Sequence, residues 1–171
     1  LGKEIRRGPI SLRITEVEAY RHPNDSANHC RAGRTARNAV MLGPPGHAYV
    51  YLCYGVHFML NFVTNPDGEG AAVLIRACEP VEGLAAIRRR CGAKDEPALL
   101  AGPGKVAAAL GVNRAQNGDA LFTSGGLEVH EGAAPQVILA GPRVGIDAAT
   151  ARDRRAPWRL AVGDSLWVSQ V

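Results

Sequence analysis

The stretch Ala48-Tyr49-Val50-Tyr51-Leu52-Cys53-Tyr54-Gly55-Val56-His57-Phe58-Met59-Leu60-Asn61-Phe62-Val63 decides how the rest of the chain is read. Residues 48–54 and 56–63 are β-branched, aromatic and aliphatic runs, divided by Gly55. That pattern predicts two paired strands around a tight turn. On such a strand Tyr49 and Tyr51 point to the same side. Tyr54, beside Gly55, would sit at the strand end, where a side chain can project from the turn.

Upstream, residues 13–20 also alternate. Arg13, Thr15 and Val17 share one parity; Ile14, Glu16, Glu18 and Tyr20 share the other. Residues 22–46 are rich in Asn, Arg, Gly and Pro and end in Gly43-Pro44-Pro45-Gly46, which reads as a loop. A loop of that length is usually functional or disordered. Downstream, Asn65-Pro66-Asp67-Gly68 marks a turn, and residues 71–78 form a third strand with Arg76 inside it. Pro80 is expected to open a helix that runs through Gly83 to Arg90. Residues 97–110 read as a second helical region interrupted by Gly102-Pro103-Gly104-Lys105, and residues 136–140 and 160–168 as late strands.

The sum is a mixed α+β fold with a mainly antiparallel sheet. The chain has 171 residues, which suits one domain, and no composition shift divides residues 1–171. With 46% hydrophobic and 21% charged residues it can bury an ordinary core, which excludes a disordered chain. No run approaches the roughly 18 apolar residues of a membrane span. The chain opens Leu1-Gly2-Lys3, with neither Met nor a signal-peptide pattern, so either the chain is processed or its natural start is expected to lie upstream, and targeting is only partly readable.

The net charge is +4, and its distribution matters more than its size. Residues 1–60 hold eight Lys/Arg against four Asp/Glu, and residues 61–171 hold twelve of each, so all the excess lies in the first third. Seventeen of the twenty cations are Arg, whose planar fork grips phosphate bidentately. This suggests a polyanion such as nucleic acid, although an Ala-, Gly- and Arg-rich composition also follows from a GC-rich genome. The four cysteines, Cys30, Cys53, Cys78 and Cys91, include no C-x-x-C pair. They are expected to be reduced thiols of an intracellular protein, mostly buried.

Four constellations could carry chemistry. All four tyrosines lie between positions 20 and 54, and aromatic faces are what a protein uses to stack a splayed-out base. They also fill half-buried sheets. Glu16 and Glu18 share a strand face with Cβ atoms about 6–7 Å apart. They could form a glycosidase-like carboxylate pair or an exposed acidic edge. The segment from His29 to Asn38 gathers Arg31, Arg34 and Arg37, either for phosphates or as a solvated loop. Gly102-Pro103-Gly104-Lys105 fails the Walker pattern, because residue 106 is Val, but could hold a single phosphate.

These same residues resemble the alkyladenine (3-methyladenine) DNA glycosylase family. The resemblance runs through Glu16-Val17-Glu18-Ala19-Tyr20, His29, Thr35-Ala36-Arg37-Asn38, Met41-Leu42-Gly43-Pro44-Pro45-Gly46, Tyr49-Val50-Tyr51, Tyr54-Gly55-Val56-His57 and Asn61. It continues through residues 73–80, Gly102-Pro103-Gly104-Lys105, residues 141–146 and Pro157-Trp158-Arg159, in order along nearly the whole chain. It implies one compact domain around a curved antiparallel sheet, acting as a monomer on double-stranded DNA with damaged purines.

Residue by residue, the resemblance makes Glu18 the general base that activates water, and Glu16 a neighbour whose substitution is mild. Tyr20, His29 and Tyr51 would sandwich the flipped base, and Asn61 would sit at the pocket floor and disfavour a 2-amino group. Tyr54 would be the wedge that fills the vacated stack. Arg76 and Lys105 would contact the DNA backbone; Arg34 and Arg37 belong with them less securely. Leu42, Phe58, Met59 and Leu160 depart from the family's usual residues, which bears on substrate range.

No metal-ligand cluster is present, so neither metal nor cofactor is expected, and nothing points to a membrane partner. A glycosylase that also cuts the strand uses an amine nucleophile. Only Lys3, Lys94 and Lys105 exist, none beside Glu18 or the tyrosines, so water is the expected nucleophile. The resemblance places the protein with DNA, in a bacterial cytoplasm or a eukaryotic nucleus. The competing readings are a damaged-DNA-binding module without catalysis and a carbohydrate hydrolase using Glu16 and Glu18.

Overall fold

The computed structural model describes residues 1–92 and 96–169; Lys94 lies outside them. Eight strands form one sheet: β1 (Glu4–Arg7), β2 (Ile10–Tyr20), β3 (Ala48–Cys53), β4 (His57–Val63), β5 (Ala72–Glu82), β6 (Glu128–His130), β7 (Ile138–Gly141) and β8 (Arg159–Val162). Among the described residues three α-helices accompany them, α1 (Leu84–Cys91), α2 (Pro103–Leu110) and α3 (Ala151–Arg155). The order is β3-β4-β5-β2-β1-β6, every pairing is antiparallel, and β8 with β7 branches from β2. The mixed α+β, mainly antiparallel expectation therefore holds.

β2 is the trunk of this sheet. One edge pairs with β5 along most of its length, while the other pairs with β1 over residues 10–13 and with β8 over residues 16–18. Both faces are covered, which explains its nearly continuous burial. Three irregularities interrupt the β2–β5 ladder: one at Ser11/Leu12, where Val81 is extra on β5, and two near the middle. Thr15 is an extra residue on β2 between Ile14 and Glu16, and Arg76 is an extra residue on β5 between Ile75 and Ala77. Paired bulges of this kind re-aim side chains, and here they bring Arg76 toward Glu16 and Glu18.

The hairpin of residues 48–63 forms as expected. Tyr54 and Gly55 carry φ of 49° and 73°, and the Val56 amide donates to the Cys53 carbonyl. Positive φ at two adjacent turn residues matches the twist of the flanking strands. Alternation then sorts the hairpin. Ala48, Val50 and Leu60 join the main core with Ile5, Ile10, Leu12, Ile75, Ile87, Val106 and Leu110 under α1 and α2. Tyr49 and Val63 join a second cluster with Cys30, Met41 and Ala72 on the opposite face, against which Tyr20 and Tyr51 pack.

Several expected boundaries are corrected. Pro80 does not open a helix: it lies in β5, opposite Leu12. The break comes at Gly83, whose φ of 81° and close approach to the Pro9 carbonyl admit no side chain. Gly102-Pro103-Gly104-Lys105 does not interrupt a helix but starts one, with Pro103 in the first turn of α2. The last expected strand stops at Val162, where the Ser165 amide turns back onto the Val162 carbonyl. β1, β6 and α3 were not expected; they are three to five residues long, too short for a periodic signal.

Candidate active site

The loop of residues 22–46 is ordered by buried polar side chains. Asn28 donates to the Gly70 carbonyl at 2.8 Å and accepts from the Cys30 amide at 2.6 Å. Asn38 donates to the carbonyls of His29 and Gly33, both at 2.9 Å, and accepts from the Thr35 amide. Asp25 is fully buried against Arg143, with bonds of 2.7 and 2.8 Å. The loop thereby closes over the second hydrophobic cluster and brings His29 to Tyr49 and Tyr51.

Four strands carry one row of residues across the sheet: Tyr49 opposite Asn61, Asn61 opposite Leu74, Leu74 opposite Glu18. Above this row Tyr20, His29, Met41, Tyr49, Tyr51 and Asn61 line a small cavity. It adjoins a wider cleft of about 450 Å³ whose rim includes Arg31, Arg37, Tyr54 and residues 145–149. The His29 ring lies edge-on to Tyr51, with centroids 4.7 Å apart, and its Nδ1 is 2.9 Å from the Tyr49 hydroxyl. Burial, reinforced by Arg37 and Arg31, pulls His29 down to about 4, so its imidazole is neutral at pH 7. Burial pushes Tyr49 up to about 12 and Tyr51 further still. Asn61 is buried, and its amide nitrogen donates to the Tyr49 carbonyl at 3.0 Å.

Glu18 is inaccessible to solvent, yet amply bonded. Its Oε1 accepts from the Val144 amide at 2.7 Å and faces Arg76 Nη1 at 3.2 Å; its Oε2 accepts from the Tyr20 hydroxyl at 2.8 Å. Burial, and then the Glu18 carboxylate, push the Tyr20 phenol far above its ordinary value, so Tyr20 remains a donor. A carboxylate offers about four lone-pair sites. Two are taken by hydrogen bonds, one on each oxygen, and Arg76 lies against Oε1, so Oε2 keeps room for a further donor. Glu16 differs. It accepts from Arg76 Nε at 3.3 Å, Arg159 Nη1 at 3.1 Å, Ser169 Oγ at 3.0 Å and the Ser169 amide at 2.5 Å. Three of these donors fall on Oε1 and one on Oε2, and they tie Glu16 to Arg76, Arg159 and Ser169, none of which lines the aromatic pocket.

The other expected residues divide by position. Tyr54 is 93% exposed at the hairpin tip, which removes the reading in which it packs in the sheet. Lys105 is half-buried in the first turn of α2, with Nζ 2.7 Å from the Ala98 carbonyl. Packing of α2 against His57, at Gly104, sets that turn beside the hairpin. Arg34 and Arg37 are exposed, and Arg37 lies 5.3 Å from the Tyr51 ring centroid. Arg76 is 7% exposed and engaged by Glu16 and Glu18, so in the free protein it braces the two carboxylates. Arg143 and the Val144 amide were missed, because nothing local in residues 141–146 marks a contact with β2.

Fold and site together define a compact α+β protein in which a buried carboxylate is bonded to a tyrosine of an aromatic pocket, and that pocket adjoins a basic-rimmed cleft. The family model of methylpurine-DNA glycosylase (MPG) matches residues 1–166. A protein of Nitrosococcus oceani carrying the name 3-methyladenine DNA glycosylase is 57% identical over 99% of this chain and 84% of its own length. DNA-3-methyladenine glycosylase of Arabidopsis thaliana is 54% identical over 99% of this chain and 67% of its own. The chain belongs to the methylpurine-DNA glycosylase family.

Proposed function

We propose that this chain releases methylated purines from duplex DNA by hydrolysing the bond between C1′ and the base, with Glu18 as general base. The observation that carries this reading is the buried Glu18 carboxylate, whose Oε2 accepts from the hydroxyl of Tyr20, a residue that lines the aromatic pocket. A base cannot react inside the stack, so the nucleotide is rotated into the cleft and Tyr54 fills the gap. The purine then lies among Tyr20, His29 and Tyr51. Methylation at N3 or N7 leaves the purine cationic, and electron-rich aromatic faces favour a cation by about 0.5–2 kcal/mol. A neutral His29 supports this stack, since an imidazolium would repel the charged base.

Water held on Oε2 attacks C1′ as the bond to the base breaks. The bonding pair goes to the purine, which leaves neutral; the water proton goes to Glu18, and an abasic sugar remains. Arg76 and the Val144 amide oppose the carboxylate from the Oε1 side and keep the other oxygen directed at the water.

The test is to incubate the protein with duplexes bearing 7-methylguanine, hypoxanthine, ethenoadenine or no lesion, and to measure released base. Release from the 7-methylguanine duplex, lost in Glu18→Gln, is expected. Tight lesion binding without release would instead favour a damage-binding module.

A further inference from the structure

We propose that the buried Arg143–Asp25 pair is a positioning device for the reactive run Glu18-Ala19-Tyr20. It rests on the reading of Glu18 as the base. Residues 143 and 144 fasten each of those three consecutive β2 residues. The Val144 amide donates to Glu18 Oε1 at 2.7 Å. Arg143 Nη1 donates to the Ala19 carbonyl at 2.9 Å. The Arg143 guanidinium lies 4.7 Å from the Tyr20 ring centroid and 4.8 Å from that of Trp158. β8 pairs with β2 only over residues 16–18, so the edge at Ala19 would otherwise lack partners. The Ala19 amide donates to the Trp158 carbonyl at 2.8 Å, and Arg143 supplies the missing donor to its carbonyl.

Asp25 holds the other end. Its carboxylate takes both Arg143 terminal nitrogens and also accepts from the amides of Arg21 and Ala27. The guanidinium is therefore pinned between β2 and the start of the loop that carries His29. Both side chains are fully buried. A buried ion pair carries a desolvation penalty that often cancels its attraction, so apolar residues of similar volume would stabilise as well. What apolar residues cannot do is make the directional bond to the Ala19 carbonyl that fixes β2 between Glu18 and Tyr20.

Single-turnover release of 7-methylguanine by the full chain, with enzyme in excess, tests the idea. The amplitude counts correctly folded enzyme, and the rate constant reports alignment. Arg143→Lys keeps a charge but loses the fork, and Asp25→Asn keeps the volume but loses the charge. Both should lower the rate constant about 10–100-fold at near-normal amplitude, since a displacement of about 1 Å can cost that much. Lesion affinity, measured with each substitution combined with Glu18→Gln, should stay within about threefold. Millimolar guanidinium should accelerate Arg143→Ala and leave the wild type unchanged. A wild-type rate constant in both variants, or a loss confined to amplitude, overturns the proposal. A wild-type protein that releases no 7-methylguanine overturns the reading of Glu18 and the activity.

Discussion

The two faces of the sheet bury side chains on different terms. Under α1 and α2, Ile5, Ile10, Leu12, Leu60, Ile75, Ile87 and Leu110 meet through non-directional contact, and no polar valence has to be met. On the opposite face, Glu16, Glu18, Asp25, Asn28, Asn38 and Asn61 are equally buried, but each is placed by named donors and acceptors. An apolar core responds to lost volume, and the response is a matter of stability. A hydrogen-bonded polar face responds to lost partners, and the response reaches whatever that face orients.

The largest expected effect separates the faces at once. Glu18→Gln removes the proton acceptor but keeps the shape. Base release at saturating enzyme should fall by about 10²–10⁴, while affinity for a lesion duplex stays within about tenfold. A variant that turns over near the wild-type rate would exclude Glu18 as the base.

On the core face, Leu60→Ala should cost about 2–5 kcal/mol in urea unfolding, with an unchanged rate constant per active molecule. Glu16→Gln crosses the division. It was expected to be mild, yet it would leave Arg76 and Arg159 facing a neutral amide in a buried site. A loss of roughly 3–5 kcal/mol is expected in the same urea experiment.

Tyr54 belongs to neither face. Tyr54→Ala should shift the flipping equilibrium about 10–100-fold against the enzyme, read with a fluorescent base analogue, because stacking on an aromatic is worth about 1–3 kcal/mol. Its melting temperature should not fall, since the ring is exposed. Tyr54→Gly should melt no lower than wild type, because φ of 49° strains any residue with a side chain. A marked drop in melting temperature would make Tyr54 structural.

His29 gives the site face a pH dependence. Its ordinary value is 6.5 and the fold holds it at about 4, chiefly by burial. Above pH 6.5 neither state is protonated. As pH falls from 6.5 to 4 the unfolded chain binds a proton that the native chain refuses, so stability declines. His29→Gln should flatten that decline when urea midpoints at pH 6.5 and 4.5 are compared. The smallest effect is expected at Lys105: Lys105→Ala should flatten the salt slope of undamaged-duplex binding by about one unit, and an unchanged slope would remove it from the phosphate contacts.

Much of this molecule was legible from short-range pattern. Residues 48–63 announce their hairpin through period-two alternation around Gly55, and that alternation already puts Tyr49 and Tyr51 on one side. Glu18 and Tyr20 sit two apart on β2, so their adjacency follows from the strand itself. The roles proposed for Glu18, Tyr20, His29, Tyr51, Tyr54 and Asn61 came from the family resemblance and not from these patterns. The Pro80 and Gly102 boundaries were misread because a proline near a helix start looks alike whether it ends a strand or opens a helix.

What the sequence alone determined is the set of local elements whose signals lie within a few residues: the hairpin, its projecting Tyr54 and the strand bearing Glu18. The tertiary structure alone decided which long-range partners complete the site. Arg76 turns inward because paired bulges at Thr15 and Arg76 re-aim it. Arg143 meets Asp25 across 118 residues because β8 branches from β2 and returns residues 141–144 to the pocket. Strand register and chain return depend on the whole fold's burial, so no local pattern encodes them.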